Sequence, residues 1–383
     1  MLESGSFCPA LPGLEDVFLE GDMTVRKMVG VLPLMVVFAL VRPLGAQIQT
    51  VHHWASDRPD ARAPGRVTDD RTVGEGELDV AVRYLNLRMN SVGYGTDSLT
   101  VSQVWAAGYT VAPSTLVTSG FAVDLMYGVN DRLTVTASGS FARKKMEQWT
   151  ASSANPGVYM FNQTESSGLM DIKLTGIYTA YEGTSARAYV LGGFSIPVGA
   201  TDAKANAADP DNLAGEFVEV QLPYQQQLGS GTFDFLPGFN VAVQNEKATL
   251  GLQGKAVLHL GENSRGWSMG NTFTGNLWAG FAAADWAAVT IGFQYLKWGD
   301  IDGEDEDVDF LSTVYWNPAY VSYQKGWRLD LPLGVNFFMP ENSFFAGQQL
   351  AIDFLIPIHQ DLDQPQFRAD NSIVVTWKKA FSF

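Results

Sequence analysis

The chain has 383 residues and a formal charge of −16, a length open to two soluble domains or one large β structure and a charge that makes nucleic acid a poor partner. Its 38 glycines and 12% aromatic residues suit short strands, tight turns and aromatic belts better than a helical enzyme. The single cysteine, Cys8, lies ahead of the export signal described next, so residues 47–383 hold no disulfide, no thiolate metal site and no thiol nucleophile.

Arg26 and Lys27 precede the apolar run Met28 to Val41, and Pro43, Leu44, Gly45 and Ala46 follow it. A basic start, an apolar stretch of about a dozen residues and a small-residue exit are the pattern of a signal peptide, with cleavage expected after Ala46. Gln47 in place of cysteine argues against a lipoprotein anchor. Residues before Met23 are acidic, with Glu3, Glu15, Asp16, Glu20 and Asp22, which does not suit the leading edge of such a signal, so Met23 or Met28 is an alternative translation start. Residues 1–46 carry five acids and three bases, leaving −14 for the exported part. Residues 47–76, rich in Asp, Arg and Pro, have little apolar periodicity and are expected to be a mobile segment with little chemistry.

From Leu78 onward the dominant period is two, the spacing that sends alternate side chains to opposite faces of a sheet. In Arg132 to Ala142, Leu133, Val135, Ala137, Gly139 and Phe141 alternate with Arg132, Thr134, Thr136, Ser138 and Ser140. Gly128-Val129-Asn130-Asp131 joins this run to Phe121–Tyr127 as a hairpin turn. The pattern recurs at Ala248 to Leu260 and at Val289 to Tyr295. It predicts twelve strands near residues 78–88, 118–128, 132–142, 168–180, 186–197, 231–243, 248–260, 273–283, 287–298, 326–338, 348–357 and 371–383. Short turns alternate with long connections such as 143–167, 198–230 and 299–325, as in outer-membrane barrels with both termini on the short-turn, periplasmic side.

Each run of about 9–13 residues matches the span of a tilted strand across a bilayer, and lipid forces such a sheet to close on itself. Tyr84, Tyr127, Tyr178, Trp286, Trp298 and Trp327 near strand ends suit a membrane-interface girdle. Val375, Trp377, Phe381 and Phe383 alternate to a C-terminal aromatic residue, like the strand that bacterial barrel-assembly machinery recognises. The expectation is a closed antiparallel transmembrane β-barrel over 77–383, in the bacterial outer membrane, with lipid and that machinery as partners. A sandwich or propeller is the alternative; a propeller needs a repeated blade motif that is not found here.

Two stretches resemble one family, the outer-membrane transporters associated with the meta-cleavage pathway of phenol degradation. They are Leu222-Pro223-Tyr224-Gln225-Gln226-Gln227-Leu228-Gly229-Ser230-Gly231-Thr232 continuing to Asp234 and Pro237-Gly238, and Leu355-Ile356-Pro357-Ile358-His359-Gln360-Asp361-Leu362-Asp363-Gln364-Pro365-Gln366. Weaker matches are Val111-Ala112-Pro113-Ser114, Met126-Tyr127, Gly168 to Asp171, Ser195 to Gly199 and Arg328 to Leu331. His359 stands where the family often has Tyr, and Gln364 where it often has Gly. The resemblance implies a closed barrel that moves small hydrophobic or aromatic solutes.

With apolar faces toward lipid, Arg132, Asp171, Lys173, Arg187, Asp234, Lys255, Arg328 and Asp330 are candidate lumen or rim groups of a solute pathway. Pro223, Tyr224, Gln225 and Gln227 are candidates for an inward constriction loop, or else a cap on the rim. Gly229-Ser230-Gly231 precedes a strand, so it is a sharp turn and not a phosphate loop. His259 shares a polar face with Lys255, and His359 stands beside Asp361 and Asp363. With no nucleophile motif, a barrel enzyme is the weakest reading. Asp300 to Asp309 places seven acids in ten residues without a calcium-loop spacing, so a solvated loop is expected over a metal site. No cofactor motif is found. The leading expectation is a channel for passive passage of small apolar or aromatic molecules; the alternative is a structural or ligand-binding barrel with a closed lumen.

Overall fold

The structure is a computed structural model and describes residues 53–213, 217–305, 307–308, 324–339 and 346–382. The signal peptide and Phe383 lie outside the described residues. In chain order the wall consists of β1 (Glu77–Gly95), β2 (Val111–Asn130), β3 (Leu133–Ala151), β4 (Tyr159–Leu169 and Ile172–Glu182), β5 (Ala186–Ile196), β6 (Phe233–Phe235 and Gly238–Gln244), β7 (Ala248–Leu260), β8 (Thr272–Ala284), β9 (Ala287–Trp298), β10 (Gly326–Phe338) and one extended segment, Gln348–Ser382. Eleven extended segments form the ring, and three short ones stand outside it; two of those three are the upper pieces of β4 and β6.

Every ladder in the ring is antiparallel, and an odd number of mutually antiparallel strands cannot close. The last segment therefore counts twice. Residues 349–362 pair with β10 and form β11, while residues 366–382 pair with β1 and form β12. The two halves meet across the hairpin, where Gln360 Nε2 donates to Ala369 O at 2.7 Å and Trp377 Nε1 donates to Gln348 Oε1 at 2.8 Å. Twelve walls result, the even number expected from the alternation.

The alternation sets the two faces. On β2 and β3, Phe121, Val123, Leu125, Val135 and Phe141 point outward and are exposed, whereas Asp124, Thr134 and Thr136 point inward and are buried. An outward apolar band against an inward polar surface is a membrane-spanning barrel, because lipid accepts only the former. The band ends at the cross-strand pair Phe141 and Leu169. Just above it the outward residues become charged, with Arg143 Nε 2.6 Å from Glu165 Oε1.

Three expectations need correction. The long connection 143–167 is mostly wall, since β3 runs to Ala151 and β4 begins at Tyr159. Likewise residues 358–370 extend the β11–β12 hairpin. In both places the alternation persists past the bilayer with polar outward residues, so the change of polarity marks the membrane edge and not the strand end. The third correction concerns the N-terminus. Residues 53–76 are a plug seated in the lumen, with Asp60, Ala63 and Val67 almost wholly buried.

Candidate functional site

The plug is built as a loop that enters at the short-turn rim, rises to Gly65–Asp69 and returns to the same rim. Trp54 N donates to Thr184 O, and Gly76 N donates to Gly128 O at 2.9 Å. Many polar groups of this irregular backbone find partners on the inner wall, as buried peptide groups require. Asn336 Nδ2 donates to Arg62 O, Gln253 Nε2 to Thr68 O and Asn240 Nδ2 to Asp70 O, at 3.0, 2.7 and 2.6 Å. Thr249 Oγ1 donates to Asp60 Oδ2 at 3.0 Å, and Thr376 Oγ1 donates to Gly65 O at 3.0 Å. Gly65 is required there, because a Cβ would fall 2.8 Å from Thr376 Oγ1. Ion pairs complete the seat: Arg66 with Asp353 at 3.0 Å, Lys255 with Asp69 at 2.6 Å and Arg71 with Asp79 at 2.5 Å. Between plug and wall, at the short-turn rim, lies a cavity of about 360 Å³ lined by Trp54, Arg62, Arg71, Glu182, Arg187 and Tyr189.

The upper lumen is entered by the connection between β5 and β6, which carries the Leu222–Thr232 motif. Lys144, inward on β3, donates from Nζ to the carbonyls of Gln225 and Gln227 at 3.0 and 2.5 Å. Thr164 and Ser166 of β4 donate to Gln226 Oε1 and Gln226 O at 3.0 and 2.5 Å. Tyr224 is buried edge-on against Trp267, with ring centroids 4.8 Å apart. Gln227 ties the loop to itself, its Nε2 donating to Leu222 O at 2.7 Å. Pro223 caps the short 3-10 turn Tyr224–Gln226, and Gln225 bonds to Gln324.

Asp171 fastens the base of this loop. It sits where β4 breaks between Leu169 and Ile172, and its carboxylate accepts from Val198 N, Gly199 N, Ser230 N and Ser230 Oγ at 2.8–3.1 Å. Gly199 and Gly229 cross backbone on backbone here, and a Cβ on Gly229 would lie 2.6 Å from both Asp171 Oδ1 and Gly199 O. Gly231, at φ +70, then turns the chain into β6. Asp171→Ala strands these donors, and we expect it to cost about 2 kcal/mol of local stability, read as faster hydrogen exchange at residues 198–200 and 228–232. Unchanged exchange there would show that the anchor lies elsewhere.

The remaining sequence candidates divide by position. Asp234 lies in the lumen, bonded to His259 Nδ1 at 2.7 Å and to Thr232 Oγ1 at 2.6 Å. Lys255 is held by the plug. Arg328 and buried Asp330 pair along β10 at 2.9 Å. Arg187 closes the short-turn rim, with Glu182 at 3.0 Å and its guanidinium 5.2 Å above the Trp54 ring. Arg132 precedes β3 and stands exposed in the turn, outside this interior network. Lys173 is inward on β4 by its register with buried Thr175 and Ile177, yet solvent reaches it. His359 stacks on Trp327 with centroids 4.6 Å apart. In the acidic stretch, Asp305 is 1% exposed and not solvated. It and Asp307 take the Arg265 guanidinium, and the hydrogen bond to Asp305, reinforced by Asp307, pushes Arg265 above its ordinary range.

Sequence reasoning passed over Lys144, Arg66, Asp124 and Asp353. Asp124 had a signal, as the one acid at an inward position of the apolar run Phe121–Tyr127, and it meets Arg83 at 2.5 Å.

A closed meander with a polar lumen, filled from one end by the N-terminus and from the other by a loop, leaves one architecture. The fold is that of an outer-membrane β-barrel. It is similar to the crystal structure of an outer membrane channel from Pseudomonas putida F1, with a TM-score of 0.53 and 13% identity over 82% of this chain and 99% of that one. Weaker likenesses are the toluene transporter TbuX of Ralstonia pickettii, with a TM-score of 0.41 and 12% identity over 85% of this chain and 98% of that one, and the toluene transporter TodX of Pseudomonas putida, with a TM-score of 0.42 and 10% identity over 86% and 100%. At these identities the likeness is one of fold. No family model and no curated protein matches the chain.

Proposed function

We propose that this barrel is a passive channel of the bacterial outer membrane for small apolar or aromatic solutes, exported by a signal peptide cleaved after Ala46 and inserted through its C-terminal strand. The observation that carries the reading is the construction of the lumen. Its two fillings, residues 53–76 and the loop through 223–227, are held to the wall by many hydrogen bonds and ion pairs and by small separate apolar clusters, such as Ala63 and Val67 with Trp278 and Val73 with Met126 and Ile177, not fused into one apolar core. Polar contacts of this kind exchange with water at small net cost, so either filling can shift without unfolding the wall. Asp171, Lys173, Asp234, Lys255 and Asp330 are the proposed lumen groups, Arg328 pairs with the last of these, and Arg132 and Arg187 belong to the rim. The resemblance of the Leu222–Thr232 stretch to transporters associated with phenol degradation supports an aromatic solute. No residue here is assigned to catalysis. Energy coupling is not part of the reading, since no nucleotide-binding motif is found.

Free bilayers pass apolar solutes readily, so the test uses asymmetric vesicles with lipopolysaccharide in the outer leaflet. Incorporated barrel is expected to speed entry of benzyl alcohol severalfold over protein-free vesicles, with no such gain for a sugar of similar size. A second reading, a structural barrel with a shut lumen, has in its favour that both ends are filled. Equal entry with and without protein would favour it.

A further inference from the structure

One level of the inner wall is crossed by a continuous row of polar residues. Following the ladders, Asp124 of β2 stands opposite Ser138 of β3, then come Lys173 of β4, Ser195 of β5, Asp234 of β6 and His259 of β7. The row lies between the top of the plug, which binds Lys255 two steps of the alternation below His259, and the loop, which reaches Asp234 through Ser230 and Thr232. Its carboxylates are engaged: Asp124 by Arg83 and Asp234 by His259. Of the inward lysines, Lys144 is bonded to loop carbonyls, Lys255 to Asp69, and Lys378 stands 3.5 Å from Asp70.

Lys173 differs from all of them. Its ammonium has no hydrogen-bond or ion-pair partner among the described residues, the nearby Asp69, Asp234 and Asp171 carboxylates being taken up by Lys255, by His259 and by backbone and Ser230 donors, and solvent reaches it inside the barrel. Directly across the ladder, Ser195 is 1% exposed and its Oγ is buried without a partner; Thr136 Oγ1, one step further along the same face, is in the same condition. A buried hydroxyl left unbonded is costly, and a cation facing a polar enclosure attracts a counter-charge. We propose that Lys173 and Ser195 form a solute-binding site in the lumen for the carboxylate of a small organic acid, an aromatic one where the channel reading above holds. One carboxylate oxygen accepts from the Lys173 ammonium, and the Ser195 hydroxyl donates to the other. The inference rests on that reading for the solute being aromatic, while the binding site itself is testable without transport.

The experiment titrates purified barrel in detergent with 4-fluorobenzoate at pH 8 and follows ¹⁹F line broadening, with 4-fluorobenzamide as the uncharged control. The expected result is saturable broadening of the acid that unlabelled benzoate reverses, and none for the amide. Lys173→Met should weaken the acid at least tenfold, Lys173→Arg should retain it, and Ser195→Ala should weaken it severalfold, all in barrels that keep their heat-modifiable gel shift. Should Lys173→Met not fold, Ser195→Ala and Lys173→Arg still decide. Absence of saturable binding in the unaltered protein, or an affinity unchanged in folded Lys173→Met or Ser195→Ala, would overturn the site. Vesicle entry of benzyl alcohol is measured separately, so a failed channel and a failed site give different results.

Discussion

Deleting residues 53–72 is expected to raise single-channel conductance by about tenfold. A twelve-stranded wall lies between the eight-stranded barrels that side chains fill and the sixteen-stranded porins that stand open, so what occupies its interior sets its resistance. The plug crosses the lumen with contacts to the inner faces of β4, β6, β7, β10 and β12. The groups it leaves behind, among them Asn240, Gln253, Asp353 and Thr376, are polar and take water in its place. The wall survives because its ladders do not pass through the plug. Conductance unchanged by the deletion would place the resistance in the loop through Tyr224 instead.

The second large effect belongs to Asp353. The Arg66 side chain is 2% exposed and its partner 1%. One carboxylate accepts from both Arg66 N and Arg66 Nη1 at 3.0 Å, while Arg66 Nε and Nη2 have no partner among the described residues. Asp353→Ala leaves that guanidinium buried with only the more distant Asp330, already paired with Arg328, for counter-charge, a loss of about 3–5 kcal/mol. The double variant Arg66→Met with Asp353→Leu removes both charges and should fall near the unaltered protein, because burying the pair is itself costly. Proteolysis of residues 53–76 reads the difference: a loss of that size raises the population with the plug released by about two to four orders of magnitude. Equal cleavage in the single and double variants would mean that the pair does not hold the plug.

How much of this was legible in the sequence follows from the range of each interaction. The wall was legible because alternation is local: Leu133 to Phe141 declares its two faces within one strand, and neighbouring hairpins repeat it. The direction reversal inside residues 348–382 was legible for the same reason, since Gln364-Pro365 interrupts two alternating runs. Strand ends were misjudged where outward residues turn from Phe141 to Arg143, because the bilayer edge and the strand end leave the same mark in sequence. The plug was illegible. Its partners are remote, Asp353 lying 287 positions from Arg66 and Thr249 189 from Asp60, and a run of Asp, Arg and Pro looks alike whether water or a polar wall surrounds it. Arg132, read as a lumen or rim group, stands at the rim: its parity is inward, but it precedes the first residue of β3, where parity no longer fixes direction. The loop motif was found, though Gln226, which takes Thr164 and Ser166 of the wall, stood unmarked among three glutamines.

The most direct test of the channel is planar-bilayer recording from residues 47–383, folded in detergent and reconstituted. Discrete openings of low conductance, reduced when benzyl alcohol is added and enlarged when residues 53–72 are removed, are the expected result. A correctly folded barrel that stays silent in both forms would contradict the account and leave a structural barrel in its place.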